Sequence, residues 1–210
     1  MIPSLKEWDQ KYRDQGLVII GNHYPEFDYE ADLENLKSEN AFLKKAFKIS
    51  SDLGYDFEKA SIYSWDLDSR GYNVLLNKGK ADGISDGDIV ISEDKVLIGT
   101  VYETADDFSR VLVITDPRFK VTARVLSSNT TGIANGALTQ GMSFDLIIHN
   151  DEINEGDVVV SSGNDKFPPF LIIGKVDKVD IADNQLFKKV SIRPAMGDIT
   201  LGSVVVLKKK

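Results

Sequence analysis

From residue 55 onward, short apolar runs alternate with clusters of glycine, asparagine, aspartate and proline. The runs are rich in valine and isoleucine, whose β-branched side chains favour strands, whereas the residues between them are typical of turns. Many short strands separated by turn signals predict a sandwich or a barrel rather than a helical domain. The clearest runs are Tyr72–Leu76, Asp88–Ile91, Arg110–Ile114, Lys120–Val125, Asp157–Val160 and Val204–Leu207. This part of the chain is therefore predicted to be mainly β.

Part of this pattern occurs twice. Gly87–Ile91 and Ile98–Val101 are matched in sequence by Gly156–Val160 and Ile173–Val176. A Gly-Asp pair supplies a tight turn before a buried strand, and the glycine of the second run permits a bulge or a close barrel corner. Two small β-barrels are therefore predicted, one over residues 55–125 and one over residues 126–210, and an exchange of strands between the halves is left open.

Apolar residues at helical spacing mark the segment 28–53, ahead of the β-rich part. They form a heptad seam, at intervals of four and three residues: Tyr29, Leu33, Leu36, Asn40, Leu43 and Phe47. Such a seam is typical of a coiled coil, and an asparagine within it can pair with its counterpart in a second copy. An amphipathic helix is therefore predicted, with two roles open. Either two copies associate as a homodimer through Leu33, Leu36, Asn40, Leu43 and Phe47, or a single helix packs on its own domain with Asn40 at the edge.

Residues 1–27 predict a short α/β fragment ahead of this helix. Leu5, Trp8 and Tyr12 recur at helical spacing, and Leu17–Gly21 is a short apolar run that predicts a buried strand. The predicted order along the chain is thus a small fragment, an amphipathic helix and two β-barrels.

Charge and composition exclude several classes of protein. The chain of 210 residues carries a formal net charge of −8, which argues against a nucleic-acid partner because phosphate backbones attract basic surfaces. It contains no cysteine, so disulfides, thiolate metal sites and thiol catalysis are excluded. No apolar run is long enough to predict a transmembrane helix, and the acidic N-terminal segment carries no apolar core of a signal peptide.

The residues that could support catalysis are few. His23 and His149 are far apart in sequence and lack acidic neighbours at metal-ligand spacing, so no metal site is predicted. A double-barrel hydrolase would need a nucleophile and a base, for which Ser161, Ser162 and His149 are the candidates. The chain has no Gly-x-Ser-x-Gly motif, no phosphate-binding loop and no nucleotide fingerprint. We therefore predict a binding module without catalytic residues or cofactor, not an enzyme.

One turn offers a candidate contact with a partner. Phe167, Pro168, Pro169 and Phe170 follow one another between two predicted strands. Aromatic side chains in a proline-rich turn can either pack into the core or remain exposed to meet another protein. We predict partner contact at these four residues.

A series of short stretches in collinear order resembles the MreC family of rod shape-determining proteins. Glu39–Leu43 is similar to the coiled-coil core of that family, and Asn77–Val90 to its lysine- and glycine-rich stretch. The other stretches are Ile98–Val101, Ser109–Pro117, Thr131–Ile133, Gly156–Gly163, Phe167–Pro168, Ile172–Val176 and Val204–Leu207. One departure is Phe170, because the family usually has glycine at this position.

This resemblance implies a non-enzymatic scaffold of the cell-elongation machinery, which takes part in the formation and maintenance of cell shape by organising peptidoglycan synthesis. The implied partners are an elongation-type penicillin-binding transpeptidase and the membrane shape proteins MreD and MreB. The implied location is extracytoplasmic, at the cell membrane. Residues 1–35 instead resemble a truncated thioredoxin-like domain of the DipZ type that lacks its Cys-x-x-Cys motif. A thioredoxin-like redox fragment and a double-barrel hydrolase are therefore the alternative functions.

Overall fold

The computed structural model describes residues 11, 14, 26–68, 71–138, 141–180, 186–198 and 202–208. The predicted α/β fragment at residues 1–27 lies outside this part of the chain, apart from Lys11, Asp14 and the first two residues of the helix, Glu26 and Phe27. The chain forms two compact units, Met1–Ala41 and Phe42–Lys210. The predicted helix is present as α1, Glu26–Leu53. It ends at Gly54, whose φ of 71° is the left-handed conformation that favours glycine at a helix C-terminus.

The second unit contains two closed β-barrels. Their strands are β1 Asp56–Asp68, β2 Gly71–Leu76, β3 Ile89–Ile91, β4 Leu97–Thr104, β5 Ser109–Val113, β6 Lys120–Val125, β7 Thr131–Gly136, β8 Met142–Asp145, β9 Val158–Ser161, β10 Ile172–Asp180, β11 Lys189–Pro194 and β12 Ser203–Lys208. The order around the first barrel is β1-β12-β3-β4-β5-β2, and around the second it is β10-β11-β8-β7-β6-β9. The neighbouring strands pair antiparallel. The predicted fold, two small β-barrels behind a helix, is confirmed.

Each half of the chain gives one strand to the barrel of the other half. β12 pairs with β1 and β3 in the first barrel, and β6 pairs with β7 and β9 in the second. When β1–β6 and β7–β12 are compared as two repeats, their strands occur in the same order around the two barrels. The predicted boundary between residues 125 and 126 therefore does not separate the barrels, because β6 ends at Val125 and belongs to the second barrel.

The repeated Gly-Asp turns have the same backbone geometry. Gly87 has a φ of 95°, and its N–H donates to the carbonyl oxygen of Val101 at 2.8 Å. Gly156 has a φ of 90°, and its N–H donates to the carbonyl oxygen of Val176, also at 2.8 Å. Because only glycine adopts such a φ without strain, the sequence repeat reflects one turn that the fold uses twice.

Two clusters of buried side chains form the core of this unit. The smaller cluster fills the first barrel, and the larger fills the second barrel and continues over the outer wall of the first. β3 shows how the clusters meet, because Val90 belongs to the smaller one and its neighbours Ile89 and Ile91 belong to the larger. A strand buried on both faces has a continuous apolar sequence instead of an alternating one, as this strand does.

Candidate interaction surfaces

One face of α1 carries the heptad seam, and its side chains are exposed. The exposed fraction is 63% for Leu36, 68% for Phe47 and 41% for both Leu33 and Leu43, and Asn40 is exposed as well. We name these five residues the α1 seam. Large apolar side chains that are exposed at heptad spacing are typical of a surface that a second helix covers.

The C-terminal half of α1 packs on the barrels through a different face. Phe42, Ala46 and Ile49 follow helical spacing and are buried in the larger core cluster. The Lys59 ammonium group on β1 lies over the Phe42 ring, 5.0 Å from its centroid. Packing of the helix on its own domain, one of the two predicted roles, therefore involves residues outside the α1 seam, and the seam residues Leu43 and Phe47 stay exposed.

Ion pairs join the same half of the helix to the turn between β3 and β4. Lys45 Nζ lies 3.2 Å from the carboxylate of Asp94 and 3.5 Å from that of Glu93, and Lys95 Nζ lies 3.3 Å from that of Asp52. The hydrogen bond to Asp94 and the charge of Glu93 raise the pKa of Lys45 above its ordinary value. Water and salt screen such exposed pairs, so burial of the apolar face dominates the packing of the helix.

The four predicted contact residues lie in the β9–β10 loop, residues 162–171, but only two of them reach the surface. Phe167 is buried, and its ring packs on that of Phe119 with the centroids 5.5 Å apart. Pro168 is buried as well, whereas Pro169 and Phe170 are exposed. Phe167 and Pro168 therefore anchor the loop in the core of the second barrel. Direct contact with a partner is possible only at Pro169 and Phe170.

Phe170 combines an exposed ring with an unfavourable backbone conformation. Its φ is 68°, in the left-handed region that residues with a Cβ adopt at a cost of roughly 1–2 kcal/mol. The guanidinium carbon of Arg124 lies 4.3 Å from the centroid of its ring. Sequence reasoning missed Arg124, because its contact with Phe170 joins two residues that are distant in sequence.

Hydrogen bonds, two of them buried, fix the loop that presents Phe170. The Ser161 hydroxyl donates to the carbonyl oxygen of Pro168 at 2.6 Å and accepts from the N–H of Leu171 at 2.9 Å. The Asp165 carboxylate accepts from the N–H of Thr122 at 2.7 Å and from that of Phe167 at 3.0 Å. The loop is thus pinned to the barrel at both of its ends, and Phe170 occupies a defined position.

The residues of the hydrolase alternative do not have the arrangement of a catalytic site. Ser161 is fully buried and its hydroxyl is engaged with two backbone groups, whereas His149 is exposed. The Ser162 hydroxyl accepts from the N–H of Asn164 at 3.1 Å. An activated nucleophile instead needs a base within hydrogen-bond reach of its hydroxyl.

Two features are absent from the part of the chain that the structure describes. Within it, no three His, Asp or Glu side chains come close enough together to hold a metal ion. In the same residues, no helix combines the length and the apolar character that crossing a membrane requires.

Comparisons with known proteins agree on one family. The family model "Rod shape-determining protein MreC, barrel core" matches residues 62–208. The cell shape-determining protein MreC of Listeria monocytogenes is 30% identical, over 92% of this chain and 72% of its own length. MreC of Escherichia coli is 31% identical over 79% of this chain, which spans only 45% of that protein. The thioredoxin-like resemblance of residues 1–35 finds no support in these comparisons.

Solved structures show the same fold. The structure of MreC from Listeria monocytogenes superposes with a TM-score of 0.64 at 29% identity, and the match covers 86% of this chain and 92% of that structure. The family model, the identity to relatives and the two closed barrels thus lead to the same assignment. This chain belongs to the MreC family of cell shape-determining proteins.

Proposed function

We propose that this protein is a non-enzymatic scaffold that organises peptidoglycan synthesis by binding an elongation-type penicillin-binding transpeptidase and by self-association. The observation that carries the proposal is Phe170. Its large apolar side chain is exposed, its backbone is strained, and the loop that presents it is pinned by buried hydrogen bonds. Backbone strain is often found at binding sites, and aromatic side chains frequently supply much of the energy of an interface.

Relatives support the choice of partner and location. MreC from Helicobacter pylori, which shares the fold with a TM-score of 0.58 at 19% identity, was solved in a complex with the penicillin-binding protein PBP2. Another structural neighbour is the major periplasmic domain of an MreC. By analogy, we place this chain outside the cytoplasm at the cell membrane, with MreD and MreB as further partners.

Self-association belongs to the same proposal and uses the α1 seam. The side chains of the seam are exposed, whereas Phe42, Ala46 and Ile49 pack on the barrels through another face of the helix. A homodimer would pair Asn40 with the Asn40 of the second copy and cover the exposed leucines on both sides of it. Two copies would then present two partner-binding loops on one scaffold, which increases the avidity for clustered enzymes.

Calorimetric titration of the full chain with the extracytoplasmic domain of an elongation-type transpeptidase from the same source tests the partner proposal. We expect saturable binding that Phe170→Gly weakens by about tenfold or more, because an anchoring aromatic side chain is lost. Tyr63→Ser is the control, because Tyr63 is an exposed aromatic residue of the first barrel and lies outside the β9–β10 loop.

Two results would count against the proposal. If the folded wild-type chain does not bind the transpeptidase at high micromolar concentration, the family fold alone is left and the partner is wrong. If the wild type binds and Phe170→Gly binds equally well, the partner is right and the contact lies elsewhere on the protein.

A further inference from the structure

A second apolar surface lies on the opposite wall of the second barrel. Four large side chains, with exposed fractions between 41% and 71%, form the β8–β11 surface: Leu146, Ile148, Leu186 and Phe187. In the barrel order, the pair β8 and β11 is separated from the pair β6 and β9 by β7 on one side and β10 on the other. This surface is therefore distinct from the wall that carries Arg124 and Phe170.

Backbone contacts hold these side chains next to one another. Ile148 and Phe187 form an isolated antiparallel bridge, and the N–H of His149 donates to the carbonyl oxygen of Leu186 at 3.1 Å. Leu146 and Phe187 both line a cleft of about 530 Å³. Pockets that bind ligands in proteins measure about 300–1,000 Å³, so this cleft has room for large side chains of another molecule.

The backbone at the cleft is strained, as it is at Phe170. β8 and β11 pair as far as Phe144 and Val190, and the pairing resumes at Ile148 and Phe187. Between these points Leu146 has a φ of 67° and exposes half of its side chain. A left-handed backbone and an exposed leucine side chain are both unfavourable, and both features are more frequent at binding sites than elsewhere.

The charges at the rim of the cleft favour an anionic group. The Asp145 carboxylate accepts hydrogen bonds from Asn135 Nδ2 at 2.7 Å and from Ser143 Oγ at 3.4 Å. The Lys188 ammonium group donates to the carbonyl oxygen of Asp151 at 2.7 Å and keeps two further N–H donors. Lys189 is exposed at the cleft and forms no ion pair with any residue of the described ranges. Two lysines thus line the cleft, next to the carboxylate of Asp145, in a chain of net charge −8.

From these observations we infer that the β8–β11 surface is a docking site for a segment of a partner protein in which apolar side chains alternate with carboxylates. The apolar side chains fill the cleft beside Leu146 and Phe187, and a carboxylate meets Lys189 at the rim. A second copy of this chain is a poorer occupant, since a two-fold contact of this surface with itself would bring the lysines of both copies together. This site goes beyond the proposed binding through Phe170 and does not depend on it.

Three immobilised peptides of equal length test the inference with the full chain. One alternates leucine and phenylalanine with aspartate, the second has lysine in place of each aspartate, and the third has serine in place of each apolar residue. We expect saturable binding of the aspartate peptide, binding of the lysine peptide that is about tenfold weaker, and no binding of the serine peptide. Lys189→Glu should reduce or reverse the preference for aspartate over lysine. Phe187→Ser should weaken the binding of both peptides that carry apolar residues. The Tyr63→Ser variant should bind all three peptides as the wild type does.

The remaining outcomes overturn the inference. Equal binding of the aspartate and lysine peptides by the wild type, or unchanged binding by Lys189→Glu, removes the charge recognition. Phe187-dependent binding to phosphatidylglycerol vesicles without binding of any peptide would make the surface a lipid contact. If no peptide binds and light scattering shows a lower weight-average mass for Phe187→Ser than for the wild type, the β8–β11 surface is a contact between copies of this chain. Because Lys189 is exposed, Lys189→Glu tests the site even if Phe187→Ser fails to fold.

Discussion

The Ser161 hydroxyl shows how one side chain of the second barrel controls the position of another. It makes two hydrogen bonds to the backbone of the β9–β10 loop from a fully buried position. Removing the hydroxyl leaves the carbonyl oxygen of Pro168 and the N–H of Leu171 without this partner. Leaving a buried polar group without a partner lowers the stability by more than the hydrogen bond itself contributes, because the group gave up its bonds to water on folding.

We therefore expect Ser161→Ala to lower the free energy of unfolding by about 2 kcal/mol, measured by urea denaturation. It should also weaken the binding that depends on Phe170, since the loop is less firmly held. Ser162→Ala is the matched control, because Ser162 is only partly buried and its hydroxyl accepts a single hydrogen bond in a turn. Equal losses for the two variants would mean that Ser161 has no special part in fixing the loop.

Phe170→Gly should separate stability from binding. Glycine relieves about 1–2 kcal/mol of left-handed strain, while the variant loses a cation–π contact of about 0.5–1 kcal/mol and gains freedom in the unfolded chain. These terms oppose one another, so the free energy of unfolding should stay within about 1 kcal/mol of the wild type. A loss of more than about 2 kcal/mol in thermal or urea unfolding would instead show that the Phe170 ring is part of the core packing.

At the scale of elements, α1 has one face that is buried against the barrels and one that is exposed. The buried face, with Phe42, Ala46 and Ile49, attaches the helix to the barrels, and the exposed α1 seam is the proposed site of self-association. In the proposed dimer, a buried asparagine at position 40 would favour one register and one stoichiometry at a cost in stability. Asn40→Leu should therefore strengthen association and broaden the distribution of oligomers in analytical ultracentrifugation. Monomers for both the wild type and this variant at all concentrations would contradict the proposed dimer.

Neighbouring strands approach closely at two glycines, Gly99 on β4 and Gly174 on β10, and this gives a further prediction. A Cβ at Gly99 would lie 2.1 Å from the carbonyl oxygen of Leu112, and one at Gly174 would lie 2.2 Å from that of Arg193. These oxygens belong to β5 and β11, which cannot move aside as the end of a flexible side chain can. Alanine at either position should lower the free energy of unfolding by about 3 kcal/mol.

The control for these substitutions is Gly197→Ala, since a Cβ there meets no atom within 4 Å. It should change the free energy of unfolding by less than about 1 kcal/mol. Similar losses in the free energy of unfolding for Gly99→Ala and Gly174→Ala would also support the equivalence of these two glycines in the two repeats. If Gly99→Ala or Gly174→Ala is as stable as the wild type, the strands have more room than this geometry allows.

For the whole molecule, sequence reasoning identified local patterns well and long-range contacts poorly. The run Lys120–Val125 predicted β6 to the residue, because a β-branched stretch between turns carries its own signal. β7 and β8 were not predicted, because Thr131–Gly136 contains two glycines and Met142–Asp145 is very short. The burial of Phe167 depends on Phe119, which is distant in sequence. The left-handed φ of Phe170 and Leu146 is imposed by the surrounding fold and has no local signal.

The exchanged strands predict unequal consequences of a C-terminal truncation. A chain that ends at Gly202 lacks β12, so the first barrel loses the strand between β1 and β3. The second barrel, formed by residues 120–194, keeps all its strands. Hydrogen exchange measured by mass spectrometry should show lost protection in β1–β5 and retained protection in β6–β11. A chain that ends at Lys208 should match the full chain, and equal loss of protection in both barrels would mean that they fold as one unit.

The same exchange fixes the order in which the barrels can close while the protein is being made. The strands of the second barrel are contiguous in the chain, so this barrel can close once Pro194 has left the ribosome. The first barrel begins earlier but must wait for Ser203–Lys208, with the edges of β1 and β3 unpaired in the meantime. Unpaired edges invite aggregation, and the chaperones that meet this nascent chain would therefore have to protect the half that was synthesised first.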